Sequence, residues 1–206
     1  MRFALLLLLA VAAAPAAAAE LVVTVRTAAG VPVPNAVVSL YPGGRAAPLG
    51  PTQGAYRVAQ QNTQFNPFVL VVPVGASVAF PNLDAFRHHV YSFSPAKRFE
   101  LKLYAKEQNR TVRFERAGVV PLGCNIHDQM TAFLKVSDTG LAIRTDAQGR
   151  ATFADVPTGA LVAQIWHPWL RAPANQVEAR WAVKPGRQGQ AVTVNLRPPP
   201  RVAPSY

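Results

Sequence analysis

The stretch "VPVGASVAFPNLDAFRHHV", Val72–Val90, carries the pattern on which the fold turns. Short runs of branched and aromatic residues are broken by Gly75 and by the cluster Pro81-Asn82-Leu83-Asp84, after which a pair of histidines opens a new run. Such runs between turn residues read as strands. The same texture extends in both directions. "LVVTVR", "NAVVSLY", "FVLVVPV", "HHVYSF", "FELKLY", "RTVRFE", "AFLKV", "ATFADV", "ALVAQIW", "QVEARWAV" and "AVTVNL" are all short and rich in strand-forming residues. In the last of them Val192, Val194 and Leu196 fall on one face, opposite Thr193 and Asn195. After the first 19 residues no convincing helical stretch, with apolar residues at i, i+3, i+4 and i+7, is found. The 19 prolines fit turns and sheet edges and would break helix interiors. The expectation is an all-β, antiparallel sandwich or barrel.

A second stretch, "LGCNIHDQM" (Leu122–Met130), carries the chemistry. It contains the chain's one cysteine, Cys124, with His127 and Met130 following at intervals of three. A thiolate is a soft, charged ligand, imidazole is intermediate, and a thioether is soft, neutral and weak. Copper accepts that mixture, whereas calcium and magnesium prefer oxygen. Two histidines and a thiolate with a weak axial methionine describe an electron-transfer copper site. The loop supplies three of the four groups, so a second histidine must come from His88, His89 or His167. His88 and His89 are adjacent on a strand and point to opposite faces, so only one of them can face a metal. His167, in "IWHPW", has no other candidate ligand near it and reads as structural or exposed.

Arg2 followed by "FALLLLLAVAAAPAAAA" reads as a cleaved export signal covering residues 1–19. The run is short for a membrane span and is interrupted by Pro15, so no stable membrane insertion is expected. Export places the chain in the periplasm. There a free thiol is a liability unless buried or ligated, and one cysteine cannot pair within its own chain. The net charge of +11 favours acidic partners. Nucleic acid is not expected, because the basic residues are scattered and no recognition motif occurs.

The segment from Phe68 to Val136 resembles the cupredoxins of the plastocyanin and amicyanin group. The matching pieces are Val72–Val90, then "FELKL", then "RFERAGVVPLGCNIHDQM", together about a third of the chain. The resemblance implies a Greek-key sandwich holding one type 1 (blue) copper on His88, Cys124, His127 and Met130. It implies an electron carrier rather than an enzyme, with His127 as the more exposed ligand and Phe86, Leu122 and Phe133 on its rim. The implied partner is an acidic redox protein such as a cytochrome c or a dehydrogenase, and some proteins of this appearance serve methylamine utilisation. The register of the motif puts the first copper histidine on His88 and leaves the role of His89 open. Gly123 departs from the aromatic residue that often precedes the cysteine. Asn82 and Asn125 are candidates for hydrogen bonds that support the ligands.

The flanks resemble a different family. "TVRTAAGVPVPNAVVSLYP" and "IRTDAQGRATFADVPTGALVAQIWHP" are similar to small exported sandwiches of the carboxypeptidase-regulatory or transthyretin-like type, through Val25–Leu40 and Thr145–Gly159. The expected organisation is a small antiparallel β-sandwich formed by residues 20–55 and 138–197. A cupredoxin domain of residues 56–137 is inserted in it or fused to it, and a proline-rich tail covers 198–206. Two other functions compete with electron transfer. One is a copper delivery or storage module, and the other is a non-redox exported binding module.

Overall fold

A computed structural model describes residues 18–199, except 53 and 107. The expected export signal falls almost wholly outside the described residues, as does the tail from residue 200 onward.

The chain is all-β, as its composition and periodicity imply. The first strands are β1 (Ala18–Thr27), β2 (Val37–Pro42), β3 (Ala59–Gln61), β4 (Gln64–Asn66), β5 (Val69–Pro73) and β6 (Ser77–Pro81). Next come β7 (His88–Ser94), β8 (Lys97–Tyr104), β9 (Asn109–Arg113), β10 (Gly118–Gly123) and β11 (Thr131–Ser137). The last are β12 (Ala142–Arg144), β13 (Arg150–Pro157), β14 (Gly159–Trp166), β15 (Gln176–Val183) and β16 (Gly186–Val194). No helix among the described residues is long and apolar enough to cross a membrane. β1 starts at Ala18, two residues ahead of the expected signal cut, and Ala18 and Ala19 pair with Pro157 and Val156.

Two hydrophobic cores are present. The sheets β13-β1-β16 and β12-β2-β14-β15 share one core, built on Leu21, Val23, Leu40, Phe153, Leu161 and Ile165. Inward residues alternate along β1 at Leu21, Val23 and Val25, each at most 1% exposed, which is the period of two that a half-buried strand requires. The turn between β12 and β13 is closed by Asp146, whose Oδ1 accepts the N–H groups of Gln148 and Arg150. Gly149 follows at φ 72°, where a Cβ would stand 2.4 Å from the Val25 carbonyl oxygen, so only glycine fits.

The five-stranded sheet β5-β11-β10-β7-β8 and the pairs β6-β9 and β3-β4 surround the second core, which includes Phe80, Tyr104, Phe114, Val120, Leu134 and Met130. A third, small cluster joins β2, β5 and β14 through Val37, Val69 and Trp166, with Phe68 and Phe133 packed against it.

The sheets are not purely antiparallel. β1 pairs with β16 in parallel, and β5 with β11 in parallel. Parallel neighbours need a long connection, and each of these pairs is separated by many intervening strands.

His167 is structural. It is 4% exposed, its Nδ1 accepts the Trp169 N–H at 3.2 Å, and its ring packs on Trp169. Burial pulls its pKa down from 6.5 to about 4, against the opposing pull of the Pro34 carbonyl. Above pH 6.5 this histidine is neutral both folded and unfolded. Between pH 6.5 and about 4 the unfolded chain binds a proton that the folded chain refuses, so stability is lost as pH falls through that window. The loss attributable to this group is at most roughly 3 kcal/mol. Urea midpoints of the metal-free protein measured from pH 7 to pH 4 should fall, and His167→Gln should flatten that slope. An identical slope in the variant would show that other groups cause it.

Candidate metal centre

The site lies at one end of the second core, where two loops meet. Along β10 the side chains of Val120 and Leu122 face inward, and Cys124, the next residue in that alternation, continues the same face just past the strand end. It is 3% exposed. The register of β10 with β11 closes at Gly123↔Thr131, so residues 124–130 form the whole hairpin loop. Within it the Met130 N–H donates to the His127 carbonyl at 3.0 Å, a tight turn that brings the intervals of three back to one side. Met130 is 1% exposed and packs in the same core as Cys124.

The pleat of β7 separates the two adjacent histidines. His88, Val90 and Ser92 point inward, and His88 has no exposed surface. His89 points to the other face, where its Nε2 lies 2.9 Å from Glu100 Oε1 and its ring packs on Tyr91. The pairing of β7 with β8 shifts register between His88 and Val90, an irregularity that sits where the strand reaches the site.

One group of side chains therefore converges. A ligand atom from each of His88, Cys124 and His127 lies within 4.8 Å of the other two. Cys124 Sγ is 4.0 Å from His88 Nδ1 and 3.8 Å from His127 Nδ1, so both imidazoles turn the same nitrogen to the sulfur. His89 and His167 are not in the group. His127 is partly exposed, and burial, followed by the proximity of His88, lowers its pKa below 6.5. This donor set fits copper. Thiolate and imidazole nitrogen suit copper or zinc, but a buried thioether beside them is a soft donor that zinc sites rarely use.

Two of the three expected rim residues lie elsewhere. Phe86 is 47% exposed and its ring stands 5.0 Å from His88 and 5.6 Å from His127. Leu122 is instead in the core at 2% exposure, because it shares the inward face of β10 with Cys124. Phe133 is on the outward face of β11, packed against Phe68 and Trp166 at the junction between the cores. The loops do carry two other exposed apolar residues, Leu83 and Ile126.

Asp84, which falls within the matched stretch Val72–Val90 and is given no role there, completes the surroundings of His88. Its Oδ2 accepts from His88 Nε2 at 2.7 Å. The same carboxylate accepts the backbone N–H groups of Asn62 at 2.7 Å and Thr63 at 3.0 Å, both in the two-residue turn between β3 and β4. Burial opposes its charge, but the N–H of Thr63, then the His88 ring, then the N–H of Asn62 outweigh this and hold the carboxyl below its ordinary range. Asn82, 1% exposed, ties the loop together. Its Oδ1 accepts the Asp84 N–H at 2.9 Å, and its Nδ2 donates to the carbonyls of Phe86 and Tyr104. Asn125 is exposed.

Gly123 has a local reason. β7 and β10 pair only at Gly123↔Tyr91, and the Tyr91 ring lies over the glycine. A neighbouring strand thus supplies the aromatic ring that residue 123 lacks. Beside it a cleft of about 560 Å³, lined in part by Phe93, Pro121 and Asp128, reaches Cys124 and Met130.

No protein-family model matches the chain, and no curated protein does. Solved structures do. A copper-containing nitrite reductase from Thermus scotoductus SA-01 is 25% identical over 40% of this chain, with a TM-score of 0.38; the match spans 22% of that enzyme. A purple cupredoxin from Nitrosopumilus maritimus is 21% identical over 40% of this chain and 99% of its own, with a TM-score of 0.36. Amicyanin from Paracoccus versutus is 19% identical over 40% of this chain and 81% of its own, with a TM-score of 0.37. The chain is thus similar to cupredoxins over part of its length.

The packing of Tyr91 on Gly123 is open to a direct check. A Cβ on residue 123 would stand 2.7 Å from Tyr91 Cζ, so Gly123→Ala must displace the ring. The expected cost is about 1–3 kcal/mol in chemical denaturation of the metal-free protein. Adding Tyr91→Ala should recover part of it, because contacting residues are not additive. Unchanged stability in Gly123→Ala would mean that the ring has room to move.

Proposed function

We propose that this chain is a periplasmic type 1 copper protein that passes single electrons between other proteins. The observation that carries the reading is the convergence of His88 Nδ1, Cys124 Sγ and His127 Nδ1 within 4.8 Å, beside a buried methionine. Bound copper would supply a one-electron couple between Cu(I) and Cu(II). His88, Cys124, His127 and Met130 would hold it. Cys124 provides the charged, soft donor and is 3% exposed. His88 is anchored from behind by Asp84 and cannot rotate freely. The Phe86 ring shields both imidazoles on the solvent side. His127, partly exposed between Phe86 and Ile126, is the side chain through which an electron would enter or leave.

The carrier reading follows from the donor set, two imidazoles and a thiolate with a buried methionine, which suits a one-electron couple. The basic chain, at +11, suits an acidic redox partner such as a cytochrome c or a dehydrogenase, whose encounter would weaken as salt rises. The apolar leader of residues 1–19 supports export. The separate cores support a division into two units. On this reading residues 20–55 and 138–197 make a small sandwich of carboxypeptidase-regulatory or transthyretin-like type, and residues 56–137 make the copper-binding unit inserted in it or fused to it.

Visible spectroscopy tests the reading. The purified mature chain given Cu(II) should develop a strong thiolate-to-copper band. Cys124→Ser and His88→Ala should abolish that band, and His89→Ala should retain it. A colourless wild-type protein would overturn the proposal.

A further inference from the structure

His88 has no solvent exposure, so both of its ring nitrogens must be accounted for inside the protein. Nδ1 faces Cys124 Sγ at 4.0 Å, and Nε2 faces Asp84 Oδ2 at 2.7 Å. An ionised carboxylate only accepts hydrogen bonds, so the proton of a neutral His88 resides on Nε2 and the lone pair on Nδ1 is left pointing at the sulfur. The carboxylate cannot swing away. Asn62 N–H holds Oδ1, Thr63 N–H holds Oδ2, and the Asp84 N–H is itself held by Asn82 Oδ1. The two donors come from a turn whose residues both have left-handed backbone, φ 54° and φ 57°, which aims successive N–H groups at one point.

We propose that Asp84 is a positioning residue that fixes His88 with Nδ1 free for the metal and, through the imidazole, makes the site favour Cu(II) over Cu(I). The proposal rests on the copper reading above. A negative charge on the far nitrogen makes an imidazole a stronger donor, and the stronger donor stabilises the more highly charged ion. A backbone carbonyl in the same place would fix the ring without adding a charge. The β3–β4 hairpin then has a functional task, since it clamps the carboxylate.

Two kinds of measurement test this. In the metal-free wild-type protein at neutral pH, imidazole nitrogen shifts from NMR should show His88 protonated on Nε2. A neutral ring with its proton on Nδ1 would overturn the proposal, and this readout needs no variant and no copper. In Asp84→Asn, which keeps an oxygen acceptor but loses the charge, Cu(II) affinity should fall about 10–100-fold. Cu(I) affinity should fall less. Each tenfold difference between the two losses raises the reduction potential by about 59 mV. Asp84→Glu, which restores the charge, should bring the potential back toward that of the wild type. Equal losses for the two ions, or an unchanged potential, would reduce Asp84 to a structural residue. If Asp84→Asn fails to fold, the NMR measurement still decides the orientation of His88. If the wild-type protein binds copper without a blue band, the type 1 reading fails, and the NMR and affinity measurements judge Asp84 independently.

Discussion

A histidine with no contact with solvent has to place two polar nitrogens, and the arrangement of this site follows from how His88 does so. An unpaired buried nitrogen costs about 1–3 kcal/mol. Here Nε2 is met by a carboxylate that would itself be costly to bury without partners, and that carboxylate is met by a hairpin turn and by Asn82. The chain of donors runs from β3–β4 through the β6–β7 loop to β7. It ends with Nδ1 directed at Cys124 Sγ, 4.0 Å away, the ring position met by a sulfur and by no oxygen or backbone group. The geometry around His88 is therefore complete except on the side where a ligand-binding lone pair is useful.

The hairpin β10–β11 does two jobs with its two faces. Its inward residues, Val120, Leu122, Ala132 and Leu134, are core, and they deliver Cys124 and Met130 to the site at the loop. Its outward residues include Phe133, which packs against Trp166 of β14 in the small third cluster. The same pleat that makes Cys124 continue the core face makes Phe133 leave it. A one-residue slip in this hairpin would exchange the two roles, so the packing of Phe133 on Trp166 and the burial of Leu134 fix the same register from opposite sides.

What the sequence makes legible here is local. The spacing of Cys124, His127 and Met130 is readable because one seven-residue loop holds all three, so no distant contact is needed to gather them. Strands with apolar or alternating patterns, such as Leu21–Val25 and Val192–Val194, are readable for the same reason. The hairpin "AQQNTQFN" is not, since its Gln and Asn residues give neither an apolar face nor a glycine turn, and its turn uses Asn62 and Thr63 in left-handed backbone. The role of Asp84 goes unread with it, although the residue lies in the matched stretch, because a carboxylate in a loop is ordinary until the hairpin that clamps it is placed. The pairing of β1 with β16 and of β5 with β11, and the location of Phe133, depend on contacts between distant segments that periodicity does not encode. The pair His88-His89 is intermediate. The pleat says that only one can face the site, but the choice needs the strand's register in the sheet.

The two imidazoles that face Cys124 are unequal, and the inequality is informative. His88 is enclosed and braced by a charge, while His127 is partly open beside the exposed rings and side chains of Phe86 and Ile126. A site for storing or handing over a metal ion gains from ligands that can all release, whereas a site that moves only electrons gains from a rigid frame with one accessible edge. Asp84 and Asn82 stiffen the side of the site that faces the core, and among the described residues nothing comparable braces the loop from Asn125 to Gln129 beyond its own turn. Bracing is thus concentrated on His88, and access is concentrated on His127. That division is the physical reason for preferring electron transfer to metal delivery as the reading of this chain.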